Sequence, residues 1–192
     1  MKDSRTRSGL AALILLALVT GAGHSIAQQS ERGTDEHAIV HVSKGDESLA
    51  REIADKVSES LFYTMFDDVH VRVVDRVATL TGFVTMSIKS DEFRKLASQV
   101  RGIQRVVNEI ETLPASTMDD ALRAEIAVKI YHNEAFSDHA KQRLGPVHII
   151  VRDGMVTLTG VVDSEAERQR AGVIARYAYG TWSVDNQLCV EK

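Results

Sequence analysis

The chain has 192 residues, 44% apolar and 26% charged, with two prolines and no low-complexity tract. That composition excludes a disordered or fibrous protein, and the length admits one domain or two small ones. The net charge of −4 comes without any basic block or stripe, which argues against a nucleic-acid binder built on phosphate neutralisation.

At the start, Lys2, Arg5 and Arg7 precede an unbroken apolar run from Leu10 to Val19, followed by Gly21, Ala22 and Gly23. This is the order of a secretory signal peptide. Ser25 and Ala27 put small side chains at minus three and minus one of a cut before Gln28, so residues 1–27 are expected to be removed on export. The apolar run is about half the roughly 20 residues needed to cross a bilayer, which argues against a retained anchor. A lipid anchor would need a cysteine just after the cut, and the one cysteine is Cys189, in an apolar strand pattern that reads as buried. One thiol also rules out an internal disulfide. Without the leader (Lys2, Arg5 and Arg7 against Asp3) the chain carries −6, so membrane contact cannot rest on bulk positive charge. Residues 28–45 are polar, lack a sustained period and read as a flexible leader.

From Asp46 onward the chain reads as one unit used twice. Leu49, Ile53, Val57 and Leu61 recur at helical spacing, as do Leu122, Ile126 and Ile130, so each unit opens with an amphipathic helix. Next come apolar strands at 69–73 and 148–151, then turns at Asp75-Arg76 and Asp153-Gly154; Asp-Gly tolerates the positive φ of a two-residue hairpin turn. The following strands, 77–84 and 155–162, alternate apolar residues with threonine. Ser164 with Glu167 three residues on forms a capping box for a second helix, whose stripe is Ala171, Ile174, Ala175 and Ala178, matched earlier by Phe93, Leu96, Ala97 and Val100. Gly102 and Gly180 are expected to end these helices. The last strands carry Val106, Asn108 and Ile110, or Val184, Asn186, Leu188 and Val190, on one face. An offset of 78 holds without a gap from Gly82–Gly160 to Ile110–Leu188; at the first helix it is 73, because the second unit has five extra residues between its first helix and first strand. The expected fold is α+β: two tandem αββαβ modules, 46–115 and 117–192, each a small three-stranded sheet with two helices on one face.

This order, with Val-x-Leu-x-Gly-x-Val, Ser-x-x-Glu, a glycine after the helix and Val-x-Asn-x-Leu, resembles the BON domain, named for bacterial osmotically induced periplasmic and nodulation proteins. The second module matches at Val156, Leu158, Gly160, Val162, Ser164, Glu167, Gly180, Val184, Asn186 and Leu188. The first departs at Met86 and Lys89, where Ser164 and Glu167 would fall, so Thr85 or Ser87 is expected to cap its second helix; in the second, Thr181 replaces the usual apolar residue after the glycine. The motif residues have structural roles: Gly82 and Gly160 are expected to admit a close helix, and Asn108 and Asn186 to tie a loop or strand edge. The resemblance implies a periplasmic, non-enzymatic protein of the envelope that associates with phospholipid surfaces and serves envelope maintenance or osmotic and stress protection. The alternative is a protein-binding adaptor of the envelope.

No residues of catalytic pattern oppose this reading. Gly-x-Ser-x-Gly, a phosphate loop and a dinucleotide-binding glycine pattern are absent from the sequence. Asp119-Asp120 sits at a helix start, where carboxylates meet the helix dipole. His37 and His41 lie in the leader, and His132, His139 and His148 read as solvated or turn residues, so no cofactor or metal is expected. The contact candidates are aromatic: Tyr63 and Phe66 in the first module, Tyr131, Tyr177, Tyr179 and Trp182 in the second. Phe62 and Phe136 read as core residues, while Trp182 is open to either reading. Thr79, Thr81 and Phe83, like Thr157, Thr159 and Val161, should point away from the helices and leave two open sheet faces that pack together or receive a partner.

Overall fold

The computed structural model describes residues 43–137, 139 and 144–191. The expected signal peptide and nearly all of the leader lie outside the described residues. The first module runs α1 (Lys44–Glu59), β1 (Asp68–Val74), β2 (Val77–Val84), α2 (Ser87–Ser98) and β3 (Arg105–Thr112). The second runs α3 (Thr117–Tyr131), a 3₁₀ turn (Glu134–Phe136), β4 (Val147–Arg152), β5 (Met155–Val162), α4 (Glu165–Arg176), β6 (Ser183–Asn186) and β7 (Cys189–Val190). The repeated α, β, β, α, β order of the sequence is thus the order of the fold, with the last strand of the second module split in two.

In each module a hairpin pairs the first two strands antiparallel, and the second helix crosses over to a third strand parallel to the second. Ala78, Leu80 and Val84 point into the first core with Ile53, Val57, Phe93 and Ala97; Val156, Leu158 and Val162 point into the second with Leu122, Ile126, Ile130, Ala171 and Ala175. Each of the larger side chains contributes about 1.5–3 kcal/mol by leaving water. Among the described residues, no helix is long and apolar enough to cross a membrane.

Both modules open with the same lock. Ser43 and Ser116 accept the amides of Asp46 and Asp119 at the helix starts. The Asp46 carboxylate in turn accepts the turn amides of Asp75 and Arg76, each at 3.2 Å, and Asp119 those of Asp153 and Gly154 at 2.9 and 3.0 Å. Asp75, Arg76 and Asp153 are the only non-glycine residues with positive φ among the described residues. The buried carboxylate therefore holds a hairpin turn that its side chains would otherwise disfavour. The Ser43 hydroxyl, with the turn amides assisting against burial, keeps the Asp46 carboxyl below its ordinary range. Asp119 was expected only to meet the helix dipole; its larger task is this tether.

Several expectations are corrected. Helix α1 starts two residues before Asp46 and stops at Glu59, so Leu61 falls past the helix and is exposed, as is Phe62. Helices α2 and α4 end four residues before Gly102 and Gly180, which instead turn the chain into the next strand with φ of +110° and +92°. At Gly82 and Gly160 the close neighbour is a strand: a Cβ would lie 2.0 Å from the carbonyl oxygens of Asp68 and Pro146. Asn108 and Asn186, on the edge strands β3 and β6 where a tie is expected, are not among these corrections: they donate to the Ser90 hydroxyl at 2.9 Å and to the Arg168 carbonyl at 2.8 Å and so fix the edge to a helix. Ser164 accepts the Glu167 amide, but the Glu167 carboxylate accepts from Asp163, one residue before the cap. Cys189 is exposed, because it faces away from the core that Leu188 enters.

Neither Thr85 nor Ser87 caps α2; its N-cap is Met86, without a side-chain hydrogen bond. The position that lost its glutamate holds Lys89, whose buried ammonium lies 2.7 Å from the fully buried carboxylate of Asp67. Asp67 also accepts from the amides and hydroxyls of Thr64 and Thr85. One buried ion pair thus replaces the capping box and ties the segment before β1 to the start of α2.

The two modules are joined by more than their short link. Ile149 donates its amide to Met65 O at 2.8 Å, and His148 Nδ1 donates to Asp67 O at 2.7 Å. Met65 and Phe66 pack against the second core, and the Tyr63 ring lies 5.4 Å from the ring of His148. Arg152 pairs with Glu111 at 2.9 Å and covers the Phe83 ring at 4.9 Å. Thr159 is buried and Phe83 half-buried, so the sheet faces are partly occupied, whereas Val161 stays exposed.

Candidate functional site

The aromatic candidates divide by placement. Tyr63 meets Phe93 edge-on at 5.8 Å, and burial, with the Asp68 charge, pushes its hydroxyl pKa up. Tyr131 donates to Val147 O at 2.9 Å and accepts from Val147 N at 3.2 Å, and burial pushes its pKa up to about 12. Phe66 is half-buried at the module junction. These three are turned inward, which corrects their reading as surface contacts. Phe136 is fully buried, as its core reading has it.

Tyr177, Tyr179 and Trp182 are the opposite case, 80%, 85% and 84% exposed. Their backbone is held firmly while their rings stand in water. Gly180 turns the chain, Thr181 Oγ1 donates to Ala175 O at 2.8 Å, and Trp182 N donates to Gly154 O at 2.8 Å. Thr181 therefore departs from the apolar pattern by closing the C-terminal end of α4. Tyr179 N donates to the Glu125 carboxylate at 3.2 Å; Lys129 and this amide hold that carboxyl below its ordinary range. The hairpin tip fits closely beneath, since a Cβ on Gly154 would lie 2.8 Å from Gly180 O. Between these parts and the start of α3 lies a groove of about 440 Å³, lined by Met118, Ala121, Leu122, Glu125, Tyr179 and Trp182 among others. Met118 is itself 72% exposed.

The first module has the same loop without the rings. Gln99, Arg101 and Gln104 stand where Tyr177, Tyr179 and Trp182 stand. The scaffold is common to both modules, and the aromatic end belongs to the second alone. Chemically this end offers apolar area, an indole N–H and two phenols, a set suited to an interface between apolar and polar phases.

One titratable cluster lies elsewhere in the second module. His139, expected to be solvated, is buried, with Nε2 3.4 Å from Asp163 Oδ2 and 3.6 Å from Glu167 Oε2. His37 and His41 lie outside the described residues.

Residues 45–114 and 122–192 each match the BON domain, and the chain belongs to that family. Over its whole length it is similar to osmotically-inducible protein Y of Escherichia coli (strain K12), at 28% identity over 98% of this chain and 96% of that one. Among solved structures, CdsD, a structural protein of the type III secretion system of Chlamydia trachomatis, aligns at 13% identity over 75% of this chain and 92% of its own, with a TM-score of 0.28.

Proposed function

We propose that this protein is a non-enzymatic component of the bacterial envelope, periplasmic after export, which attaches to phospholipid surfaces and serves envelope maintenance or osmotic and stress protection. Family membership and the full-length likeness to a protein named for osmotic induction support the setting. The observation that carries the attachment is the exposed group of Tyr177, Tyr179 and Trp182 on a backbone held by hydrogen bonds. Rings held out in water gain about 1.5–3 kcal/mol each on entering an apolar phase, while their N–H and O–H groups stay in the headgroup layer. The net negative charge assigns little of this attachment to charge attraction.

Liposome sedimentation of the exported chain tests the reading. The unaltered protein pellets with zwitterionic and anionic vesicles alike, raised salt does not release it, and Trp182→Ala lowers the partition constant roughly tenfold or more. Failure to pellet at any salt concentration contradicts it. An envelope adaptor, the alternative, would capture a specific protein on crosslinking and show no vesicle binding.

A further inference from the structure

The corner where the second helix of each module begins differs in charge between the two copies. In the first module, Lys89 neutralises the buried Asp67 at 2.7 Å. In the second, Glu167 stands at the Lys89 position and Asp163 at the Thr85 position, while Asp67 aligns with Gly145. An ammonium–carboxylate pair is thus replaced by two carboxylates. The imidazole that meets them belongs to His139, on the longer connection between α3 and β4 that the first module lacks.

The three side chains converge closely enough to ligate one ion. Separations of 3.4 and 3.6 Å from Nε2 to the two carboxylates are too long for a charged hydrogen bond, whose length is about 2.7–2.9 Å. The two separations from Nε2 have the length of tetrahedral edges: with metal–nitrogen and metal–oxygen bonds of about 2.0–2.2 Å, neighbouring ligand atoms lie about 3.3–3.6 Å apart. One ligand atom from each of the three residues falls within 4.8 Å of the others. The groups are also aimed. Glu167 Oε2 accepts the Asp163 amide at 2.9 Å, and the buried Phe136 ring packs 6.3 Å from the His139 ring. Asp163 is exposed, leaving one side of the cluster open to a water as fourth ligand.

We propose that His139, Asp163 and Glu167 form a binding site for a divalent transition-metal ion, zinc by its donor set. Imidazole with carboxylates suits zinc, whereas magnesium and calcium take oxygen ligands. The ion does for the second module what Lys89 does for the first, fastening the segment before the hairpin to the start of the following helix.

Equilibrium dialysis of the whole exported chain against zinc tests the site, with circular dichroism reporting the fold of each variant. One zinc binds per chain, and His139→Ala and Glu167→Gln each raise the Kd by about a hundredfold or more, since loss of an outer partner alone costs ten- to a hundredfold. Glutamine keeps an acceptor for the Asp163 amide, so Glu167→Gln remains informative if His139→Ala does not fold. The double variant His37→Ala/His41→Ala binds zinc as the unaltered chain does. Failure of the unaltered chain to take up zinc, unchanged affinity in Glu167→Gln, or displacement by millimolar calcium overturns the proposal.

Discussion

Lys89→Met destabilises the protein by about 3–5 kcal/mol in urea denaturation, among the largest effects expected of any single substitution here. The size follows from what stays behind. Asp67 has no exposed side-chain surface, and without the ammonium its charge keeps only the amides and hydroxyls of Thr64 and Thr85. An unbalanced buried carboxylate costs far more than the pair contributes when intact. Asp67→Asn with Lys89→Met therefore recovers most of the loss, because an uncharged pair of similar volume is often neutral. The damage also reaches the second module, since the Asp67 carbonyl receives His148 and the adjoining Met65 carbonyl receives Ile149. A loss under about 1 kcal/mol in the single variant would show that the pair does not balance the buried charge.

Gly160→Ala is the second large effect, a loss of about 4 kcal/mol or more in the same experiment. Its φ of +116° already costs a side chain about 1–3 kcal/mol. The added Cβ would meet the Pro146 carbonyl oxygen at 2.0 Å, and backbone cannot yield as a flexible side chain does. Relief requires β4 and β5 to part, in the module that carries the aromatic end. Gly82→Ala meets Asp68 O in the same way and should cost as much. Near-native stability in Gly160→Ala would contradict the tight strand approach.

Local pattern carried most of the fold. The Asp153-Gly154 turn, the alternation of residues 155–162 and the stripe Ala171, Ile174 and Ala175 each depend on neighbours within a few residues, and each is where the sequence puts it, although Ala178 falls past the end of α4. What escaped depends on partners far along the chain. Asp119 reads as a helix-start carboxylate and Asp46 only as the start of the first module, yet the partners of both are turn amides about thirty residues away. A signal was present: Ser-x-x-Asp opens both modules at the same offset of 73 as the rest of the first helix. Lys89 looked like a lost cap because its partner, Asp67, sits ahead of the preceding hairpin.

The aromatic residues show the same limit. Composition and spacing gave Tyr63, Phe66 and Tyr131 no distinction from Tyr177, Tyr179 and Trp182, because inward or outward placement is decided by the junction and by the Tyr131–Val147 bonds. His139 reads as solvated from the sequence because its neighbours, Asp163 and Glu167, lie across an intervening hairpin. The contrast of Gln99, Arg101 and Gln104 with Tyr177, Tyr179 and Trp182 was readable from the repeat alone, and it marks the end on which attachment is proposed to depend.

Trp182 is the chain's single tryptophan and is 84% exposed, so its fluorescence reports on that end alone. Titrating phospholipid vesicles into the chain without residues 1–27 shifts its emission to the blue, and vesicles with brominated acyl chains quench it, if the ring enters the bilayer interface as proposed. Emission that stays at the position of a water-exposed indole at saturating lipid, unquenched by brominated chains, would contradict attachment through this end.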